Sequence, residues 1–130
     1  MASFTNTWRL NANGEDLSYS KTSTEADGAV TSVDAAIGDG QTDTAVVFAL
    51  DFSQCTAFYL VSDQDVTFET NNATTPDDTI ALLANVPYIW TEDSYDTFLI
   101  GTDITTNVFV TNASGSTANI KIRALVDSTP

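Results

Sequence analysis

Apolar and polar side chains alternate with a period of two along several stretches of the chain. This spacing puts one face of a β-strand in a core and the other in water. The clearest case lies near the C-terminus, where Ala118, Ile120, Ile122, Ala124 and Val126 fall on one side and Asn119, Lys121 and Arg123 on the other. Val66, Phe68 and Thr70 alternate in the same way with Asp65, Thr67 and Glu69. Residues 45–50 and 58–61 are apolar on both sides, which predicts central strands covered twice, by layers of one domain or by a neighbouring subunit. Residues 79–85 read as a short strand entering a turn before Pro87, with a brief helix capped by Asp78 as the alternative.

Residues 111–117 are all turn formers, so the runs on either side are expected to pair as an antiparallel hairpin. A second hairpin is expected across Ser62, Asp63, Gln64 and Asp65. Residues 11–43 are rich in Gly, Ser, Thr, Asp and Ala, with breaks at Gly28, Gly38 and Gly40, and read as short edge strands and long loops. Threonine is the commonest residue and keeps company with Val, Ile, Phe and Tyr, the types that suit a pleated, half-buried surface. Roughly eight to ten short strands and no convincing helix predict an all-β fold, an antiparallel two-sheet sandwich of the jelly-roll kind. An immunoglobulin-like topology is the second option, without the Cys, Trp, Cys spacing of antibody domains. We divide the chain into an N-terminal arm, 1–13, and a single β-sandwich domain, 14–130.

At 130 residues the chain is the size of one domain and can bury a core without disulfides or a metal. Four basic residues face eighteen acidic ones, a net charge of −14. That surface repels phosphate backbones and anionic lipid, so neither nucleic acid nor membrane is an expected partner. Solubility alone accounts for the charge equally well. The start carries no secretory pattern and no run reaches the roughly 18 apolar residues that span a bilayer, so the expected product is a soluble protein made in the cytoplasm of its producing cell.

Candidate chemistry is sparse. There is no histidine to serve as the proton carrier of a serine or cysteine hydrolase, and no glycine-rich phosphate loop. Cys55 sits in an apolar run, where a thiol acts as a small hydrophobe. Glu15, Glu25, Glu69 and Glu92 are the only glutamates, and with so many acids some pair reaches glycosidase spacing by chance. Asp63 with Asp65, Asp77 with Asp78, and Asp93 with Asp96 lack the spacing of a calcium loop and fit turns. Asn72-Ala73-Thr74 and Asn112-Ala113-Ser114 also read as turns. No catalytic residue, cofactor or metal is expected, and the chain is read as a non-enzyme.

Aromatic residues point to contact and not to reaction. Val86, Tyr88 and Trp90 should share one side of a strand and pack in the core. Phe4 and Trp8 are large apolar groups in an otherwise polar arm, and with Arg9 they are the predicted partner-binding residues. The competing possibility is that the arm is the first strand of the sandwich, with Trp8 in its own core.

Several segments resemble small proteins encoded among the head genes of tailed bacteriophages. They are residues 60–71 (Leu-Val-Ser-Asp-Gln-Asp-Val-Thr-Phe-Glu-Thr-Asn), Pro76-Asp77-Asp78-Thr79-Ile80, Pro87-Tyr88-Ile89-Trp90, Val108-Phe109-Val110-Thr111-Asn112 and Ile122-Arg123-Ala124-Leu125. The likeness covers most of the chain after Asp51 and is one of strands and turns. It implies a capsid decoration, or cement, protein that lies on the capsid exterior of the virion and ties neighbouring capsomers together. The major capsid protein and a second copy of the chain, as a homotrimer, are the partners so implied. Tail, fibre or neck components share these features, and a carbohydrate-binding sandwich is the alternative from another class.

Overall fold

A computed structural model of the chain describes residues 2–25 and 28–127. Met1 of the expected arm and residues 26–27 and 128–130 of the expected domain lie outside the described residues. Ten strands follow one another: β1 (Ala2–Ala12), β2 (Glu15–Glu25), β3 (Gly28–Ile37), β4 (Thr44–Val47), β5 (Cys55–Ser62), β6 (Val66–Thr70), β7 (Thr79–Leu82), β8 (Tyr88–Thr91), β9 (Asn107–Thr111) and β10 (Ala118–Asp127). A single turn of 3₁₀ helix, Phe52–Gln54, is the one helical element among the described residues. No helix among them is long and apolar enough to cross a membrane.

Strands β3 to β10 form a sandwich of two antiparallel four-stranded sheets, in the orders β3-β10-β5-β8 and β4-β9-β6-β7. The chain changes sheet at every connection except β6 to β7, and this order is that of an eight-stranded jelly roll. The fold class expected from the sequence is therefore the one found, and the immunoglobulin-like alternative is set aside.

Alternation along the strands explains the core. Val66, Phe68 and Thr70 are buried on β6, as are Ala118, Ile120, Ile122 and Ala124 on β10. Leu125 is buried on the opposite face of β10, outside that core, and a bulge after it shifts the register with β5. Phe58 lies at the centre, its ring 5.3 Å from Phe98, 6.0 Å from Tyr88 and 6.4 Å from Phe48. Between β8 and β9 the long connection folds inwards, burying Phe98, Ile100 and Ile104.

Several local expectations are corrected. Residues 111–117 join β9 to β10, but the two strands lie in different sheets and do not pair, and the same holds for β5 and β6 across residues 62–65. Turn formers mark where a chain reverses; they do not say which sheet receives it. Asn112 makes the first of these corners, its amide donating to the carbonyls of Ile37 (2.9 Å), Gly38 (3.3 Å) and Ser116 (2.8 Å). Asp63 shapes the second, accepting from the backbone and side-chain nitrogens of Asn119 at 2.7 and 2.8 Å. Those two bonds hold its carboxyl below the usual range.

Residues 45–50 contain an edge strand and not a central one: β4 pairs only with β9, and Val47 is 80% exposed. Residues 79–82 form the strand β7. Val86 precedes β8 and is exposed, so only Tyr88 and Trp90 pack against the core. Residues 11–43 are mainly long strands, with 38–43 as the one extended break among those described.

Candidate protein-docking arm

Strands β1 and β2 belong to neither sheet of the sandwich. They pair only with each other, in an unbroken register from Ala2 opposite Glu25 to Ala12 opposite Glu15. The link is Asn13-Gly14, with φ of 52° and 87°. Positive φ at both central positions is what a two-residue turn of the primed type requires, and Asn followed by Gly supplies it at the least cost. The side chain of Asn11 accepts from the Gly14 amide at 3.0 Å and closes the turn.

Because residues opposite one another share a face, the ribbon has two distinct sides. One carries hydroxyls and charges: Thr5 meets Thr22 at 2.9 Å, Thr7 meets Ser20 at 3.2 Å, and Arg9 is paired with Asp16 at 3.1 Å. The other carries, from the tip, Ala12 with Glu15, Leu10 with Leu17, Trp8 with Tyr19, Asn6 with Lys21, and Phe4 with Ser23. At the root this second side meets the sandwich, where Asn6 and Ser23 are buried and Phe4 is partly covered. Lys21 fastens it there, its ammonium 2.9 Å from Asp93 in the connection after β8, and that contact raises the Lys21 pKa.

Beyond the root no described residue covers the face. Trp8, Leu10, Leu17 and Tyr19 are 54%, 61%, 48% and 52% exposed and adjacent. No family model, curated protein or solved structure matches the chain. The arm's geometry is therefore the main guide to its use.

The predicted contact residues separate on this frame. Trp8 stands on the open apolar face, Phe4 lies at the root, and Arg9 lies on the opposite side, bonded to Asp16. Trp8 is not in the core of the sandwich. The arm is twice the expected length of chain, since its second strand lies in residues assigned to the sandwich domain. Leu10 and Leu17 were not singled out as contact residues from the sequence; Asn13-Gly14 between alternating apolar positions is the signal that finds them.

The remaining candidates serve the fold. Cys55 is buried, and loss of hydration pushes its thiol up to about 12, far from a reactive thiolate. Burial likewise raises the Tyr88 phenol, whose oxygen accepts from the Leu99 amide. Asp65 accepts from the Ala84 amide at 2.7 Å, Asp77 from the side chain of Asn71 at 2.6 Å, and Asp78 from the Gly101 amide at 3.1 Å. Among the described residues no three His, Cys, Asp or Glu side chains are grouped to hold a metal ion. Asn72 closes a turn by accepting from the Thr74 and Thr75 amides.

A cleft of about 530 Å³ opens on the sandwich, lined by Phe52, Gln54, Trp90, Glu92, Asp96 and Phe98 among others. Trp90 is pinned there, stacked on Phe98 at 4.3 Å and donating its indole N–H to the Asp96 carbonyl.

Proposed function

We propose that the chain is a structural virion protein of a tailed bacteriophage, a capsid decoration protein that lies on the outer shell and joins neighbouring subunits without catalysis. The observation that carries this reading is the arm, an amphipathic ribbon held at one end by the body and bare along its outer half. A lone two-stranded ribbon is barely stable in water, and fully burying a residue such as Trp8 or Leu17 is worth roughly 1.5 to 3 kcal/mol. A protein surface laid on this face gains that contribution from several side chains at once. Contiguous exposed apolar patches mark interaction sites in other proteins for the same reason.

Three further features favour the reading. The jelly roll is a frequent scaffold of virion proteins, an argument by analogy alone. A net charge of −14 suits the outside of a shell better than its DNA-filled interior. The segments that resemble phage head proteins fall on the sandwich, which leaves the arm as an addition with its own task.

The test is co-sedimentation with heads and, separately, tails of the producing phage. Wild-type protein should bind heads saturably, and the folded double variant Trp8→Ser/Leu17→Ser should bind at least about tenfold more weakly. Binding to tails alone, or equal binding by the variant, would contradict the proposal.

A further inference from the structure

Asn13-Gly14 carries chemistry as well as a turn. It is the one place in the chain where glycine follows asparagine. Each of the other eight asparagines precedes a residue whose own side chain crowds its backbone nitrogen. Where glycine follows, that nitrogen can reach the asparagine side chain. The Gly14 nitrogen loses its proton and bonds to Cγ of Asn13, and the Cγ–Nδ2 bond breaks, ammonia leaving with that proton. One water then opens the resulting cyclic imide at either carbonyl. Opening at Cγ leaves aspartate. Opening at the backbone carbonyl leaves isoaspartate, with the main chain rerouted through Cβ and Cγ.

At the arm's tip this reaction is open to solvent and held back by one bond. Both residues are exposed, and nothing lies within 4 Å of the point where a Gly14 side chain would begin, so water and base have access. The Gly14 amide, however, donates to Oδ1 of Asn11 at 3.0 Å. An acceptor on the neutral N–H disfavours its loss of a proton, and the nitrogen must leave Asn11 before it can turn to Cγ of Asn13.

We infer that Asn13 is a spontaneous deamidation site, restrained by the side chain of Asn11, and that its isoaspartyl product undoes the register of the arm.

The two products act differently on the ribbon. Aspartate before glycine accepts positive φ at both central positions, so the turn survives and the chain of −14 gains one negative charge. Isoaspartate inserts a carbon into the main chain of a two-residue turn, whose length sets the register of both strands. Ala12 opposite Glu15 and Leu10 opposite Leu17 lose their alignment first. A third strand would hold them in place, but β1 and β2 pair only with each other, so the slip runs on towards Trp8 and Tyr19. The open apolar face is dismantled while the sandwich is untouched. Loss of docking as a result rests on the reading of the arm as a contact surface; the reaction and the loss of register do not.

Ageing the purified protein at mildly alkaline pH tests the inference. Trypsin cuts after Arg9 and Lys21 and releases Leu10–Lys21, in which fragmentation separates Asn11 from Asn13. Asn13 should gain the mass that turning an amide into an acid adds, before any other asparagine does. Asn11→Ala should react about two- to tenfold faster, the range set by losing one hydrogen bond. Asn11→Asp, which keeps an acceptor for the Gly14 amide, should react no faster than wild type. In the isolated isoaspartyl form the amides of residues 7–12 and 15–20 should exchange faster than in fresh protein, with β10 unchanged. Asn13→Gly suits the same turn and has no side chain to close on, so its arm should come through ageing unaltered. Three results overturn the inference: Asn13 unchanged in the folded protein while the free peptide Leu10–Lys21 reacts, Asn11→Ala no faster than wild type, or an isoaspartyl form whose arm exchanges as fresh protein does. Fresh protein that binds no heads removes the contact reading and leaves the chemistry of Asn13 standing.

Discussion

In the sandwich, β6 and β9 alternate buried and half-buried positions without a break, whereas along the outer half of the arm, residues 7–12 and 15–20, no side chain is buried. Both regions are antiparallel β-structure rich in threonine, and both carry aromatics. Layering separates them: each sheet of the body is covered by the other, while the ribbon has a covering layer only at its root. The body supplies its own core, and the arm presents half of one. The lesson is that an amphipathic strand pattern specifies a face to be covered and leaves open whether the same chain covers it.

This contrast predicts opposite responses to truncation. In the body, Phe58→Ala removes a ring with 0% exposure that three other aromatics touch, and should cost about 3–5 kcal/mol in denaturant unfolding. Asn112→Ala should follow at about 2–3 kcal/mol, because the Ile37 and Ser116 carbonyls lose their donor at a buried corner. On the arm, Trp8→Ser/Leu17→Ser should shift the unfolding free energy of dilute monomer by no more than about 0.5 kcal/mol. A loss from the arm pair comparable to that of Phe58→Ala would erase the distinction between the regions.

The same contrast explains what could be read in advance. Strands β6 and β10 announce themselves because one face of each is closed, so selection of apolar residues falls on every second position. Strand β2 announces itself poorly: among its eleven residues only Leu17 and Tyr19 are large and apolar, since no internal core asks for more. Its serines and threonines give residues 11–43 the composition of loops, and that composition hides the hairpin signal at Asn13-Gly14. The sheet assignment of β5, β6, β9 and β10 was hidden for a different reason. The corners at 62–65 and 111–117 are specified by hydrogen bonds to distant segments, Asp63 to Asn119 and Asn112 to Ile37, which no local pattern displays. Trp8 was visible as an isolated aromatic; that it stands beside Leu10, Leu17 and Tyr19 required the register.

A smaller effect sharpens the account of the corners. The Asp63 carboxyl has a lowered pKa from its bonds to Asn119, so the charged form is favoured by folding. Its contribution is present above the ordinary carboxylate range and is lost as pH falls through the lowered folded value. The difference in stability between wild type and Asp63→Asn should therefore be constant near neutrality and shrink below about pH 5. A difference that persists unchanged into strong acid would remove the ionised carboxyl from the explanation.

The central claim, that the body holds itself while the arm waits to be held, is tested most directly by amide hydrogen exchange read residue by residue. In dilute monomer, the amides of residues 7–12 and 15–20 should exchange through local opening well before those at the centre of β10, and on assembly they should slow by at least about tenfold while β10 is unchanged. Arm amides as protected as β10 in the monomer, and unmoved by assembly, would contradict it.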